Sequence, residues 1–160
     1  KIKQWPEDRF ARVAEHIAGR MSVVVIGSVR DRREVRVMMN ALHNRSRIID
    51  ASEKFSLDEL KALIAGAALF VSVDTGPLYI AEAFGVPTVD IVGPVDERVQ
   101  PPIGRIPRVV VPPGRKRAEL SIMNARSYNE TEALRQVCSI TVQAVTDSIE
   151  SLLATLHAPS

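Results

Sequence analysis

Residues 68–81, Ala68-Leu69-Phe70-Val71-Ser72-Val73-Asp74-Thr75-Gly76-Pro77-Leu78-Tyr79-Ile80-Ala81, decide the fold. The apolar run 68–73 reads as a buried strand. It ends in Asp-Thr-Gly-Pro, and a helix-like pattern follows at once. Thr75 or Asp74 can cap that helix, and Pro77 suits its first turn. The free N–H groups there face whatever lies beyond the strand's carboxyl end. Such a place is a ready anion site, best suited to phosphate. Many α/β domains also use the same strand-turn-helix for purely structural ends.

Outward from this stretch the pattern repeats. Residues 8–19 carry Phe10, Val13, Ala14 and Ile17 at helical spacing, with Gly19 as a stop. Residues 22–26 form a β-branched apolar run, a buried strand closed by Gly27. Residues 31–42 read as a helix with a basic outer face, and 47–50 as a short strand. Ser56-Leu57-Asp58-Glu59 resembles a capping box that opens a helix to about Ala65. Residues 77–84 form the helix of the opening motif, ended by Gly85, and 87–92 a fourth strand stopped by Gly93-Pro94. Helix and strand alternate four times, and each strand is short and apolar on both faces. That order predicts a parallel, doubly wound sheet of five or six strands with the loops after them on one edge.

Residues 93–117 break the pattern with Pro94, Pro101, Pro102, Pro107, Pro112 and Pro113, so most of this stretch is loop. Residues 108–111 offer a fifth strand. Arg98, Arg105, Arg108, Arg115, Lys116 and Arg117 make it basic. It is either a solvated loop or a rim that attracts an anionic substrate or a membrane surface. The last clear element is a helix over 141–156 with a stripe of Val142, Val145, Ile149, Leu152, Leu153 and Leu156.

The 160 residues suit one domain, and 46% hydrophobic with 25% charged residues describes a globular chain. A net charge of +2 makes no case for nucleic-acid binding. The single Cys138 excludes an internal disulfide framework and reads as a buried apolar residue. No apolar run approaches the roughly 18 residues of a membrane helix, and no signal-peptide pattern opens the chain. The start at Lys1-Ile2-Lys3 suggests a piece of something longer.

Several chemistries are missing. Gly27-Ser28-Val29-Arg30 is not a dinucleotide fingerprint, and there is neither a P-loop nor a G-x-S-x-G elbow. His16, His43 and His157 are scattered without metal-ligand spacing and read as surface or capping residues. No Asp-x-Asp stands at a strand end for a Mg²⁺-diphosphate site. An anion bound here must be neutralised by amides and basic side chains.

Five pieces then line up in order: Lys3-Gln4-Trp5-Pro6-Glu7, Lys54-Phe55-Ser56-Leu57, Val71 through Pro77, Ala83-Phe84-Gly85-Val86-Pro87-Thr88, and Gly93-Pro94-Val95-Asp96. Together they resemble the C-terminal half of the heptosyltransferase family, glycosyltransferase family nine, over nearly the whole chain. The resemblance implies a Rossmann-like α/β fold, one half of a GT-B enzyme, with residues 1–160 as a single nucleotide-sugar-binding domain. It implies a nucleoside-diphosphate-sugar donor of the ADP-heptose kind and a lipopolysaccharide-core or other glycan acceptor. An N-terminal domain outside this chain would present the acceptor and the general base. The transfer would be inverting, without bound metal or other cofactor, in the cytoplasm or at the inner face of the bacterial inner membrane.

Carried over by residue, Lys3 would contact the donor phosphates as the catalytic cation, although a lysine so placed is otherwise an exposed terminal side chain. Trp5 and Pro6 would fix the entry of the first helix. Phe55 would stack on adenine or else serve the core. Asp74 would accept hydrogen bonds from sugar hydroxyls or order the turn. Thr75, Gly76 and Pro77 would bring the helix tip to the diphosphate. Two positions depart from the pattern. Tyr79 stands where the family has His, so phosphate stabilisation is weaker or comes from an arginine of the basic loop. Val29 stands where it has a ribose-binding acid, and Asp31 is the nearest carboxylate. A non-catalytic binding or scaffold domain that kept the fold is the alternative; a GT-B-like epimerase lacks an acid/base set.

Overall fold

A computed structural model describes residues 2–99, 101–120 and 128–157. The chain divides into two compact units, Pro6–Leu60 and Lys1–Trp5 with Lys61–Ser160.

In the first unit, α1 (Glu7–Ala18) and α2 (Arg32–Ala41) cover a parallel pair, β1 (Val23–Val25) and β2 (Ile48–Asp50). Ala11, Ala14, Val25, Val35, Leu42 and Ile48 form its core. Only one sheet face is filled. Val24 and its cross-strand neighbour Ile49 stay 39% and 53% exposed, so these strands are not buried on both faces as their composition suggests. Strand residues alternate between faces, and the two helices supply apolar side chains to the Val25 and Ile48 face. Between β1 and α2 the Ser28 hydroxyl accepts from Arg30 N–H, while the Asp31 carboxylate accepts from Ser28 N–H and Oγ–H.

Helix α3 (Leu57–Ala65) opens with the full reciprocal capping box. Glu59 N–H donates to Ser56 Oγ, and the Glu59 carboxylate accepts from Ser56 N–H.

The second unit is built on β3 (Phe70–Val73), β4 (Thr88–Ile91) and β5 (Pro107–Val110), all parallel in that order. The central β4 is wholly buried. Helix α4 (Gly76–Ala83) lies over its Thr88 and Asp90 face, where Thr88 Oγ1 meets the Glu82 carboxylate at 3.3 Å. On the Val89 and Ile91 face, Arg108 reaches Thr155 of α6 (Val142–His157) at 3.1 Å. Helices on both faces of a parallel sheet are the doubly wound arrangement expected. Among the described residues, five strands pair as two plus three, one group in each unit.

One helix was not anticipated. Helix α5 (Glu130–Ser139) begins at Asn129, whose side chain accepts from Glu132 N–H at 3.0 Å. It buries Ala133, Gln136 and Val137. Cys138, one position further round, is exposed, which corrects its reading as a buried residue.

Candidate functional site

The N-terminal segment reaches the end of β3 because two apolar side chains hold it there. Ile2 packs against the cluster of Val92, Val95 and Leu120. Trp5 is fully buried, and its indole N–H donates to the Ile140 carbonyl at 3.0 Å, between α5 and α6. Lys3, between them, places its ammonium 2.8 Å from Asp74 Oδ2. The Tyr79 hydroxyl donates to the other oxygen, Oδ1, at 3.0 Å. Asp74, Lys3 and Tyr79 are therefore one cluster, with the carboxylate buried and the ammonium partly open. Burial first, and then the negative charge of Asp74, push the Tyr79 hydroxyl up to about 12. It stays a neutral donor where an imidazole would carry charge.

The tip of α4 lies directly after Asp74. Thr75 occupies the N-cap position with extended backbone, but its hydroxyl turns back to Ser72 Oγ, 3.1 Å away. Asp74 does not cap either, because Lys3 and Tyr79 hold its oxygens. The expected cap is thus absent; Leu78 N–H donates to the Thr75 carbonyl at 3.1 Å and Pro77 has no N–H, which leaves the Gly76 N–H without a side-chain partner among the described residues. Gly76 is exposed, and beyond its chain neighbours and the backbone of its own helix nothing lies within 4 Å of where a Cβ would stand. Pro77 fills the first turn without an N–H to satisfy. An open, uncapped helix start with an ammonium on the adjacent residue favours an anion.

Beneath this cluster lies a layer of buried acids that sequence reasoning passed over. Glu82 accepts from Thr88 Oγ1 and from Ile103 N–H at 2.8 Å. Asp90, in the middle of β4, is 5% exposed, and its Oδ1 has no hydrogen-bond partner. The signal was an acid inside the apolar run Thr88-Val89-Asp90-Ile91-Val92. Among the described residues, no three His, Cys, Asp or Glu side chains are grouped to hold a metal ion.

The loops after β4 and β5 are braced by Arg115, also not singled out for this. Its side chain is 8% exposed; it donates to the carbonyls of Gly93 and Val95 at 2.9 and 2.8 Å and pairs with Glu97. Arg98 is held by Asp96 at 2.9 Å, and Arg108 by Thr155. Three arginines of the basic stretch thus serve the protein itself. A concavity of about 330 Å³, lined by Lys116, Arg117, Arg135 and Gln136 among others, contains none of the anticipated site residues. Phe55 belongs to the other unit and is 39% exposed; in the same unit Val29 is 65% exposed and Asp31 is engaged with Ser28.

Comparisons with known proteins agree on one family. The sequence profile described as "Glycosyltransferase family 9 (heptosyltransferase)" matches residues 1–126. Over 155 residues the chain is 26% identical to lipopolysaccharide heptosyltransferase 2 of Escherichia coli K12, across 94% of this chain and 43% of that protein. It is 29% identical over 104 residues to lipooligosaccharide heptosyltransferase 2 of Haemophilus influenzae, across 63% of this chain and 30% of that one. The solved structure of E. coli ADP-heptose LPS heptosyltransferase II superposes with a TM-score of 0.77 at 24% identity, over 98% of this chain and 44% of that chain. A family 9 glycosyl transferase from Veillonella parvula gives 0.75 at 24%, over 96% and 43%. These structural likenesses establish the fold. The chain spans about 43% of the length of the E. coli relative.

Proposed function

The chain belongs to glycosyltransferase family 9, and from that premise we propose that it is the donor-binding half of an inverting, metal-independent glycosyltransferase. The enzyme moves a heptose or related sugar from a nucleoside diphosphate to a lipopolysaccharide-core acceptor. The observation that carries this reading is the uncapped start of α4, open beside Gly76, with the Lys3 ammonium held next to it on Asp74.

The diphosphate of the donor seats on that helix tip. As the bond from the anomeric carbon to the phosphate oxygen breaks, negative charge grows on the leaving nucleoside diphosphate. The helix dipole and Lys3 stabilise it there. The acceptor hydroxyl attacks the opposite face of the sugar. Its proton goes to a carboxylate base supplied from outside these 160 residues, so the chain alone binds donor and does not transfer sugar. Asp74 keeps free lone pairs after serving Lys3 and Tyr79, enough to accept from a sugar hydroxyl. The exposed Arg105 in the basic stretch faces the anionic acceptor at the inner face of the membrane.

Titration with ADP, UDP and GDP tests this directly. Nucleotide a hundredfold above its Kd stabilises the native state by about 2.7 kcal/mol, which raises the thermal midpoint by about 5–10 °C for a chain of this size. No shift at millimolar nucleotide favours the second reading, a scaffold that kept the fold. Tyr79 in place of the family's His, and Val29 in place of its ribose-binding acid, motivate that alternative. Sugar transfer well above background by this chain alone would refute the division of labour.

A further inference from the structure

Asp90 is a buried carboxyl that the proposed transfer does not use. It sits on the central strand, in register with Ser72 of β3, on the face covered by α4. One oxygen is sealed from solvent and accepts nothing. The groups that act on it come from every element packed there. They are Asp74 at the end of β3, Glu82 on α4, and Lys3 from the N-terminal segment, while the neutral Tyr79 hydroxyl on α4 is itself raised by Asp90. Among the described residues, three carboxyls share this layer with the Lys3 ammonium, which is bonded to Asp74. An ionised Asp90 would be a buried charge without a hydrogen-bonded partner, which is costly. Burial first, then the charges of Asp74 and Glu82, push its carboxyl up to about 8 against the pull of Lys3.

We propose that Asp90 is a positioning residue for Lys3: with its proton on, it leaves the ammonium to Asp74 beside the helix tip, and with the proton off it competes with Asp74 for that ammonium from beneath. The proton is exchanged with solvent, and no other bond changes. Where Lys3 meets the donor diphosphate, a point that rests on the proposed function, nucleotide binding takes up a proton at Asp90. A diphosphate that draws Lys3 outward leaves Asp74 and Asp90 with less positive charge between them, so the proton is held more tightly.

The test is carbon NMR of the chain labelled at the Asp carboxyls and Lys side chains, titrated from pH 3 to 10. Asp90→Asn assigns the resonance, and Asp90→Ser serves if the first variant does not fold. The expected result is a carboxyl step near pH 8 that reappears with the same midpoint in the Lys3 Cε resonance and vanishes from Lys3 in the variant. An Asp90 step in the ordinary carboxylate range near 4, or a Lys3 resonance that ignores Asp90, overturns the proposal. ADP titrations then separate the two readings. Affinity should fall about tenfold from pH 7 to 9.5, the limit for a one-unit change in proton affinity, and stay flat in Asp90→Asn. A shared NMR step without any ADP binding upholds the Asp90–Lys3 linkage and sinks the donor site alone.

Discussion

Asp74 joins the end of a strand, the start of a helix and a distant terminal lysine through one carboxylate. Its two oxygens are committed to Lys3 and Tyr79, 2.8 and 3.0 Å away, which fixes the side chain before any ligand arrives. Under the proposed function, preorganisation of this kind would let a sugar hydroxyl bond as a third donor at little ordering cost. Asp74→Ala removes that acceptor and also frees Lys3 for phosphate. A nucleoside diphosphate sugar should therefore bind about tenfold or more weaker, as befits a lost hydrogen bond to a charged group, while the bare nucleotide holds its affinity. Isothermal titration with both ligands decides it, and equal losses would exclude the sugar contact. Lys3, Asp74 and Tyr79 were each legible in the chain, through the turn motif and the family likeness. Their union was not. Seventy-one residues separate Lys3 from Asp74, and no local pattern encodes a contact made through the burial of Ile2 and Trp5.

At the scale of elements, the strands and most helices followed from periodicity and caps, whereas α5 escaped. Its apolar positions are few, Leu134 faces outward at 41% exposure, and it follows a long proline-broken stretch. Its start did carry a sign, Asn129 with Glu132 three residues on, which caps as such pairs do. What holds α5 in place is a close approach to the loop after β4. A Cβ on Gly93 would stand 2.7 Å from Val137 Cβ and 3.2 Å from its Cα. Gly93→Ala must then push the helix away or distort the loop that Arg115 braces. The expected cost is about 1–3 kcal/mol, as for other overpacked interiors. Trimming the partner should relieve it. In urea unfolding, Gly93→Ala combined with Val137→Gly, which removes the Cβ it meets, should cost clearly less than the two single changes summed. Additive losses would locate the role of Gly93 in its own backbone instead.

For the molecule as a whole, local pattern specifies which segments are strands but not how they share sheets. The five parallel strands were foreseen, while their division into a pair and a triplet was not, because partner choice depends on packing that no short window contains. Net charge is equally blind to burial. A formal +2 says nothing of an acid sealed in the central strand. That acid should set a term in the stability of the protein against pH. The native Asp90 carboxyl lies up near 8, against an ordinary value of 3.8 in the unfolded chain. Between those values the native state keeps a proton that the unfolded state has released, so stability falls as pH rises. The contribution is whole below about pH 4 and gone above about pH 8. Carboxylates held low, such as Glu132 beside Arg135 and Asp96 beside Arg98, act in the opposite sense and lose their contribution as pH falls. Those terms are common to wild type and Asp90→Asn, so they cancel in the difference. The midpoint of the variant minus that of wild type should rise steadily from pH 5 to 8 and level off above. A difference that stays constant from pH 5 to 9 in thermal melts would mean that Asp90 is ionised throughout, with Lys3 already shared between the two aspartates.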